Sequence, residues 1–138
     1  MSTEDNKALV RRFYGEGVHN PALLDELLAP IYVLHLPGSP PIVGIESAKA
    51  LMVAYTSGFP DLQLTIEDLV AEGDRVAIRN IWRGTHEGVF QGIPPTGSHV
   101  TFTGSDIFRF VDGKIAEQWA DLDGLGLMRQ LGVIPAVG

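Results

Sequence analysis

At 138 residues, 45% hydrophobic and 20% charged, the chain has the size and composition of one globular domain rather than of a disordered segment. With no cysteine, it can form neither disulfides nor thiolate metal sites and has no cysteine nucleophile. A formal charge of −7 with scattered Lys and Arg argues against nucleic acid as a partner, and no stretch approaches the ~20 apolar residues of a membrane span.

A small hydrophobic molecule is the partner that remains. The start, MSTEDNKALVRRF, has no apolar signal-peptide core, so the expected location is the cytoplasm.

Taken in chain order, the first predicted element is a helix. Ser2 and Thr3 supply its cap, Glu4 and Asp5 favour the positive end of its dipole, and Leu9, Val10, Phe13 and Tyr14 form its apolar stripe. Gly15 or Gly17 ends it. Asn20-Pro21 opens a second helix, with Leu23, Leu24, Leu27 and Leu28 buried and Pro30 as its stop. Tyr32 to Leu36 reads as a strand closed by the turn-rich PGSPP run. A third helix follows from about Glu46 to Ser57.

From Leu62 the apolar period changes from helical to alternating. Leu62, Leu64 and Ile66 mark one strand, and Val76, Ile78, Asn80 and Trp82 mark the next. After a Gly- and Pro-rich loop from Gly84 to Gly97 come strands Val100–Val111 and Lys114–Asp121, joined at Asp112-Gly113. A short helix from about Gly124 to Leu131 ends the pattern. Helices first and an antiparallel meander afterwards define an α+β fold with helices on one face of the sheet, in a single domain over 1–138.

The Asp112-Gly113 turn permits a register count. A type I′ hairpin sets Phe110 opposite Ile115; counting by twos then places Phe108 with Glu117, Asp106 with Trp119 and Gly104 with Asp121 on one face. That face carries the aromatics and should meet the helices, which makes its carboxyls costly unless they serve a site or a polar network. Buried carboxyls have raised pKa values and can exchange protons near neutral pH. Asp106 and Asp121 are therefore acid/base candidates, whereas Glu117, nearer the turn, is expected to be solvated or paired.

His35, in an apolar strand, is a third catalytic candidate or a hydrogen-bond partner for an acid. His86 either lines the pocket mouth or orients its loop; His99 and His19 read as surface residues. Tyr14, Tyr55, Phe59, Asn80, Trp82, Phe108 and Trp119 are candidates to wall an apolar ligand cavity, although aromatics in such positions more often form plain core. Metal-ligand spacings, nucleophile elbows and phosphate-binding glycine loops are absent from the sequence, so neither metal nor organic cofactor is expected.

Several stretches carry a family resemblance: Arg12-Phe13-Tyr14, Gly84-Thr85-His86-Glu87-Gly88, Gly92-Ile93-Pro94-Pro95-Thr96-Gly97, Asp106-Ile107-Phe108-Arg109-Phe110, and Asp112-Gly113-Lys114-Ile115 with Glu117-x-Trp119. Together they resemble the SnoaL-like ester and polyketide cyclases of the NTF2-like superfamily, over about residues 4 to 132. The resemblance implies a cone in which a strongly curved antiparallel or mixed sheet wraps the N-terminal helices, and a homodimer paired through the sheets.

It further implies intramolecular aldol chemistry without a cofactor, with Asp121 as the acid/base. Trp119-x-Asp121 also resembles a pocket motif of limonene epoxide hydrolases, but Gly104 replaces the Arg of their Arg-x-Asp. Against Δ5-3-ketosteroid isomerases, Asp106 resembles the protonated Asp, His35 stands near the basic Asp, and the oxyanion Tyr falls at Phe13 or, one residue away, Tyr14.

Two function classes follow. One is an acid/base enzyme acting on an apolar, carbonyl-bearing small molecule, with isomerase or epoxide-hydrolase relatives; the other is a non-catalytic binding protein for a hydrophobic metabolite. A purely structural dimerisation domain would leave inward-facing acids without a reason.

Overall fold

The computed structural model describes residues 2–135. Ser2 caps α1 (Thr3–Gly15): its hydroxyl accepts from the Asp5 amide while the Asp5 carboxylate accepts from the Ser2 amide. Val10, Phe13 and Tyr14 are the buried stripe of this helix. Pro21–Leu23 form a 3₁₀ turn that runs into a one-turn helix, α2 (Leu24–Leu27).

Here the sequence reading needs correction. Asn20 makes no side-chain cap, and Pro30 does not stop a helix but lies inside strand β1 (Leu28–His35). Proline is tolerated there because the pairing of β1 with its neighbour shifts register between Leu28 and Val33, where no regular ladder bond is required of it.

A two-residue strand absent from the sequence reading, β2 (Ile42–Val43), precedes α3 (Ile45–Gly58). The meander then follows as β3 (Gln63–Glu72), β4 (Arg75–Thr85), β5 (His99–Val111) and β6 (Lys114–Leu122), and α4 (Gly124–Gln130) follows the last strand. The strands form one sheet in the order β2-β1-β6-β5-β4-β3. β3 to β6 pair antiparallel, but β1 pairs parallel to β6, so the curved sheet is mixed. Its inner face, carrying Val76, Ile78, Trp82, Phe102 and Phe108, packs against Val10, Phe13 and Tyr14 of α1 in one hydrophobic core.

The hairpin has the expected turn. Asp112 and Gly113 have φ of 51° and 76°, both left-handed as type I′ demands, and Phe110 pairs with Ile115. One step further the count fails. Ala116 is an extra residue with no partner, and Arg109 pairs with Glu117, Phe108 with Gln118, Asp106 with Ala120 and Gly104 with Leu122. A single bulged residue inverts the alternation of everything beyond it. Gln118, Ala120 and Leu122 therefore face inward, and Glu117, Trp119 and Asp121 face outward.

Candidate active site

Between the helices and the inner face of the sheet lies a half-open cavity of about 50 Å³. Phe13 and Tyr14 of α1, Tyr32 and Leu34 of β1, Met52 and Tyr55 of α3, Trp82 of β4 and Gln118 of β6 are among its walls. Leu36, Leu51, Tyr55 and Leu122, each only half-buried, stand where the cavity meets solvent. Nearly all of the lining is apolar; its polar side-chain atoms come from Tyr14, Tyr32, Tyr55, Trp82 and Gln118.

These polar groups converge on Asp106, 2% exposed, behind the wall. One carboxylate oxygen accepts from the Tyr14 hydroxyl at 2.6 Å and from Gln118 Nε2 at 2.6 Å, and the other accepts from Asn80 Nδ2 at 3.2 Å. Gln118 Nε2 also donates to the Tyr14 oxygen at 3.0 Å, and its Oε1 accepts from the Tyr32 hydroxyl at 2.6 Å. Trp82 Nε1 donates to Asn80 Oδ1 at 2.9 Å. Every partner of Asp106 is thus a neutral donor.

Burial raises the Asp106 pKa above the ordinary carboxylate value. The bonds from Tyr14, Gln118 and Asn80 oppose that rise, and the charge of Asp121 adds to it. Tyr14 is pushed well above the ordinary phenol value, first by burial and then by the neighbouring Asp106 charge, and burial drives Tyr32 upward as well. The pair therefore holds its proton on tyrosine rather than as a tyrosinate, with the carboxyl as the group that titrates. Gly104 keeps the arrangement open: a Cβ there would stand 2.6 Å from Asn80 Oδ1 and 2.8 Å from a Leu122 methyl. An inward-pointing arginine at this position has no room.

The candidates named from sequence divide between the two faces. Tyr14, Trp82 and Tyr55 line the cavity, and Asn80 and Asp106 form its backing. Phe108 is fully buried in the core between Phe13 and Tyr14 and does not line the cavity. Phe59 lies in the core beneath the β4–β5 loop, against His86 and Phe90. His86 is itself fully buried; its Nδ1 accepts from the Thr96 amide and meets the Thr96 hydroxyl, which fastens the loop. This is the structural of its two readings.

Asp121, His35 and Trp119 belong to the outer face, displaced from the expected inner position by the Ala116 bulge and by the parity of β1. Asp121 is exposed. The His35 ring stacks on Trp119 at 5.4 Å, its Nε2 lies 2.6 Å from Glu117, and Arg109 holds the same carboxylate at 3.0 Å. His35 and Arg109 lower the Glu117 pKa, so this acid is paired, as the sequence suggested. Arg75 covers the Trp119 ring at 5.2 Å.

Tyr32 and Gln118 are site residues that the sequence reading missed. Tyr32 shares the parity of Leu34 on β1, a detectable signal; Gln118 was hidden by the bulge. Among the described residues no group of three or more His, Asp or Glu side chains stands together to hold a metal ion, and no helix is long and apolar enough to cross a membrane.

The family model for SnoaL-like polyketide cyclases matches residues 8–131. The chain belongs to this family. Among solved structures, AclR from Streptomyces galilaeus, named a candidate hydroxylase, superimposes with a TM-score of 0.88 at 32% identity, covering 99% of this chain and 87% of that one. TsrD from Streptomyces laurentii gives a TM-score of 0.84 at 35% identity over 97% of this chain and 99% of that one. A candidate SnoaL-like polyketide cyclase from Jannaschia sp. CCS1 gives 0.88 at 27% identity over 96% of this chain and 95% of that one. No curated protein matches the chain. The SnoaL-like fold and its NTF2-like cone are thereby established for these residues, whereas family members differ in the chemistry their names assign.

Proposed function

We propose that the protein is a cofactor-independent acid/base enzyme of the polyketide-cyclase type, closing a ring on an apolar, carbonyl-bearing small molecule. The observation that carries this reading is Asp106, buried, raised in pKa and joined by 2.6 Å bonds to Tyr14 and Gln118, which line the cavity. Asp106 takes the acid/base role that the sequence shared among Asp121, Asp106 and His35, because the other two face away from the cavity.

In the proposed step an enolised ligand gives its O–H proton to the Tyr14 oxygen while the Tyr14 proton moves to Asp106. The enol carbon forms a C–C bond to a carbonyl carbon of the same molecule. The oxygen of that carbonyl, now carrying the electron pair, receives a proton from the Tyr14 hydroxyl, which recovers its own from Asp106, so charge and protons balance. Tyr55 and Trp82 hold the apolar skeleton. A cavity of about 50 Å³ is small beside the ~300–1,000 Å³ of most ligand sites, so Leu36, Leu51, Tyr55 and Leu122 must move aside on entry.

The test is turnover of linear β-polyketones by Asp106→Asn and Asp121→Asn variants. General acid/base catalysis contributes ~10²–10⁴ in rate, so Asp106→Asn should lose that much and Asp121→Asn little. Full activity in Asp106→Asn would overturn the assignment.

A second reading, a non-catalytic binding protein, is favoured by one feature: the network satisfies itself without a ligand. It predicts unchanged ligand affinity in Asp106→Asn and no turnover by the wild type. In either case the outer face, with exposed Ile31 and Ile107 around the Trp119 stack, is the surface we propose for a homodimer; sedimentation that finds a monomer at micromolar concentration would refute it.

A further inference from the structure

The polar wall of the cavity has a definite proton inventory. With Asp106 ionised, the Tyr14 O–H points to Asp106, the Tyr32 O–H to Gln118 Oε1, and the Trp82 N–H to Asn80 Oδ1. Both hydrogens of the Gln118 amide are used, one on the Tyr14 oxygen and one on Asp106. The Tyr55 hydroxyl, at the mouth, stands outside the network, but every donor of Tyr14, Tyr32, Trp82 and Gln118 is committed inside it. What they can still offer a ligand is lone pairs, on the Tyr14 and Tyr32 oxygens.

One added proton changes this. Protonated on the oxygen 2.6 Å from Tyr14, Asp106 becomes the donor in that bond, and the Tyr14 hydrogen is released to turn toward the cavity. The wall then presents a donor. Leaving a buried partner unmatched is costly, so a ligand oxygen without a hydrogen should be rejected in the first state and accepted in the second.

We propose that the site selects its ligand by tautomer: with Asp106 ionised it binds an enol or phenol hydroxyl, and with Asp106 protonated it binds a ketone. This inference rests on the proposed role of Asp106 at the cavity wall, and it names the substrate class of that site as an enolised or phenolic ring precursor rather than a simple ketone.

The groups that face Asp106 are Tyr14 from α1, Tyr32 from β1 by way of Gln118, Asn80 from β4 and Gln118 from β6, while the charge of outward-facing Asp121 acts on it from the other side of the sheet. No lysine, arginine or histidine side chain bonds to it among the described residues, so its own proton is the one that resets the wall. Burial raises its pKa, so that proton is added more readily than to a free carboxyl.

The experiment uses two bicyclic probes of matched shape, 2-naphthol and 2-tetralone, titrated onto the intact protein across a pH series by fluorescence and NMR shift perturbation. As pH rises through the Asp106 titration, tetralone affinity should fall and naphthol affinity should rise, each by about tenfold, the worth of one exchanged hydrogen bond. Asp106→Asn should abolish the pH dependence for both probes. Tyr14→Phe should likewise bind each probe with an affinity that does not change with pH, since the switching hydroxyl is gone.

Parallel pH profiles for the two probes, or a tetralone preference above the titration, would overturn the tautomer inference and leave the proposed enzyme function standing. Failure of both probes to shift cavity residues would overturn the inference together with the small-molecule reading of the cavity. A normal fold of Tyr14→Phe by circular dichroism keeps its arm interpretable, and the wild-type profiles decide the matter without it.

Discussion

Asp106 and Glu117 stand on neighbouring strands of one sheet, yet their carboxyls live by different rules. On the inner face Asp106 is enclosed by Tyr14, Gln118 and Asn80, and burial dominates: its pKa rises. On the outer face Glu117 is about a quarter exposed, and its bonds to His35 and Arg109 dominate: its pKa falls. Each face has a set of donors for its acid, but only the inner set is neutral and closed from water. The lesson is that a carboxyl becomes reactive through the company it keeps and the water it loses, and that one bulged residue decides which acid this is.

Removing the bulge should break the comparison most severely. Deletion of Ala116 would turn Glu117, Trp119 and Asp121 into the core and Gln118 out of it, burying unpaired charge. Such a change exceeds the ~4–5 kcal/mol that marks the extreme of single alterations, so no cooperative thermal transition should remain. A variant that melts like the wild type would mean that the inner and outer sets are interchangeable.

Next in size is Gly104→Ala. Its Cβ would stand 2.6 Å from Asn80 Oδ1, and overpacking of this kind costs about 1–3 kcal/mol. Chemical denaturation measures it, and unchanged stability would show that Asn80 can move without disturbing the network. Tyr14→Phe removes one donor to Asp106 and should cost about 1–3 kcal/mol through the partner left unmatched. On the outer face Glu117→Gln should cost about 1 kcal/mol or less, because this pair is partly open to water. If that order is reversed in the same denaturation series, the inner network is not the more tightly coupled of the two.

The sharpest test is the pH dependence of stability. Because the folded pKa of Asp106 is raised, the protonated carboxyl is the form the fold favours; its stabilising contribution is complete below the unfolded value and is lost as pH rises through the folded value. Asp106→Asn removes this dependence, so the variant should gain on the wild type as pH increases across that window. The gain should be about 1.4 kcal/mol for every tenfold difference between the acid dissociation constants of the folded and unfolded chain. Melting temperatures that stay parallel across the window would mean Asp106 titrates as an ordinary carboxyl. Glu117 has the opposite sign, its contribution appearing above the ordinary carboxylate value and fading in acid.

Much of this was legible beforehand. The cap candidates Ser2 and Thr3, the alternation of Val76, Ile78, Asn80 and Trp82, and the Asp112-Gly113 turn all gave local signals strong enough to place the elements and to put Asp106 inside. Asp121 went wrong for a physical reason. Ile115-Ala116-Glu117 contains no glycine, proline or asparagine to announce a bulge, and a small alanine fits the extra position without penalty. Tyr32 was readable from its shared parity with Leu34 and Gln118 was hidden by the bulge, but their bond to each other spans 86 residues, a distance at which no local pattern carries information.

The parallel pairing of β1 with β6 has a further consequence, for the order in which the chain assembles. The hairpins β3–β4 and β5–β6 close through two-residue turns and can zip up early, whereas β1 and α1 must pair with residues 86 and 92 positions away to deliver Tyr32 and Tyr14. Contacts of such large sequence separation form late, after the entropy of closing the loop has been met. The carboxyl at the heart of the site therefore stays hydrated through most of folding and loses its water in the last steps. Weakening its partners should then quicken unfolding far more than it slows folding, a bias that stopped-flow refolding and unfolding of Tyr14→Phe can read directly.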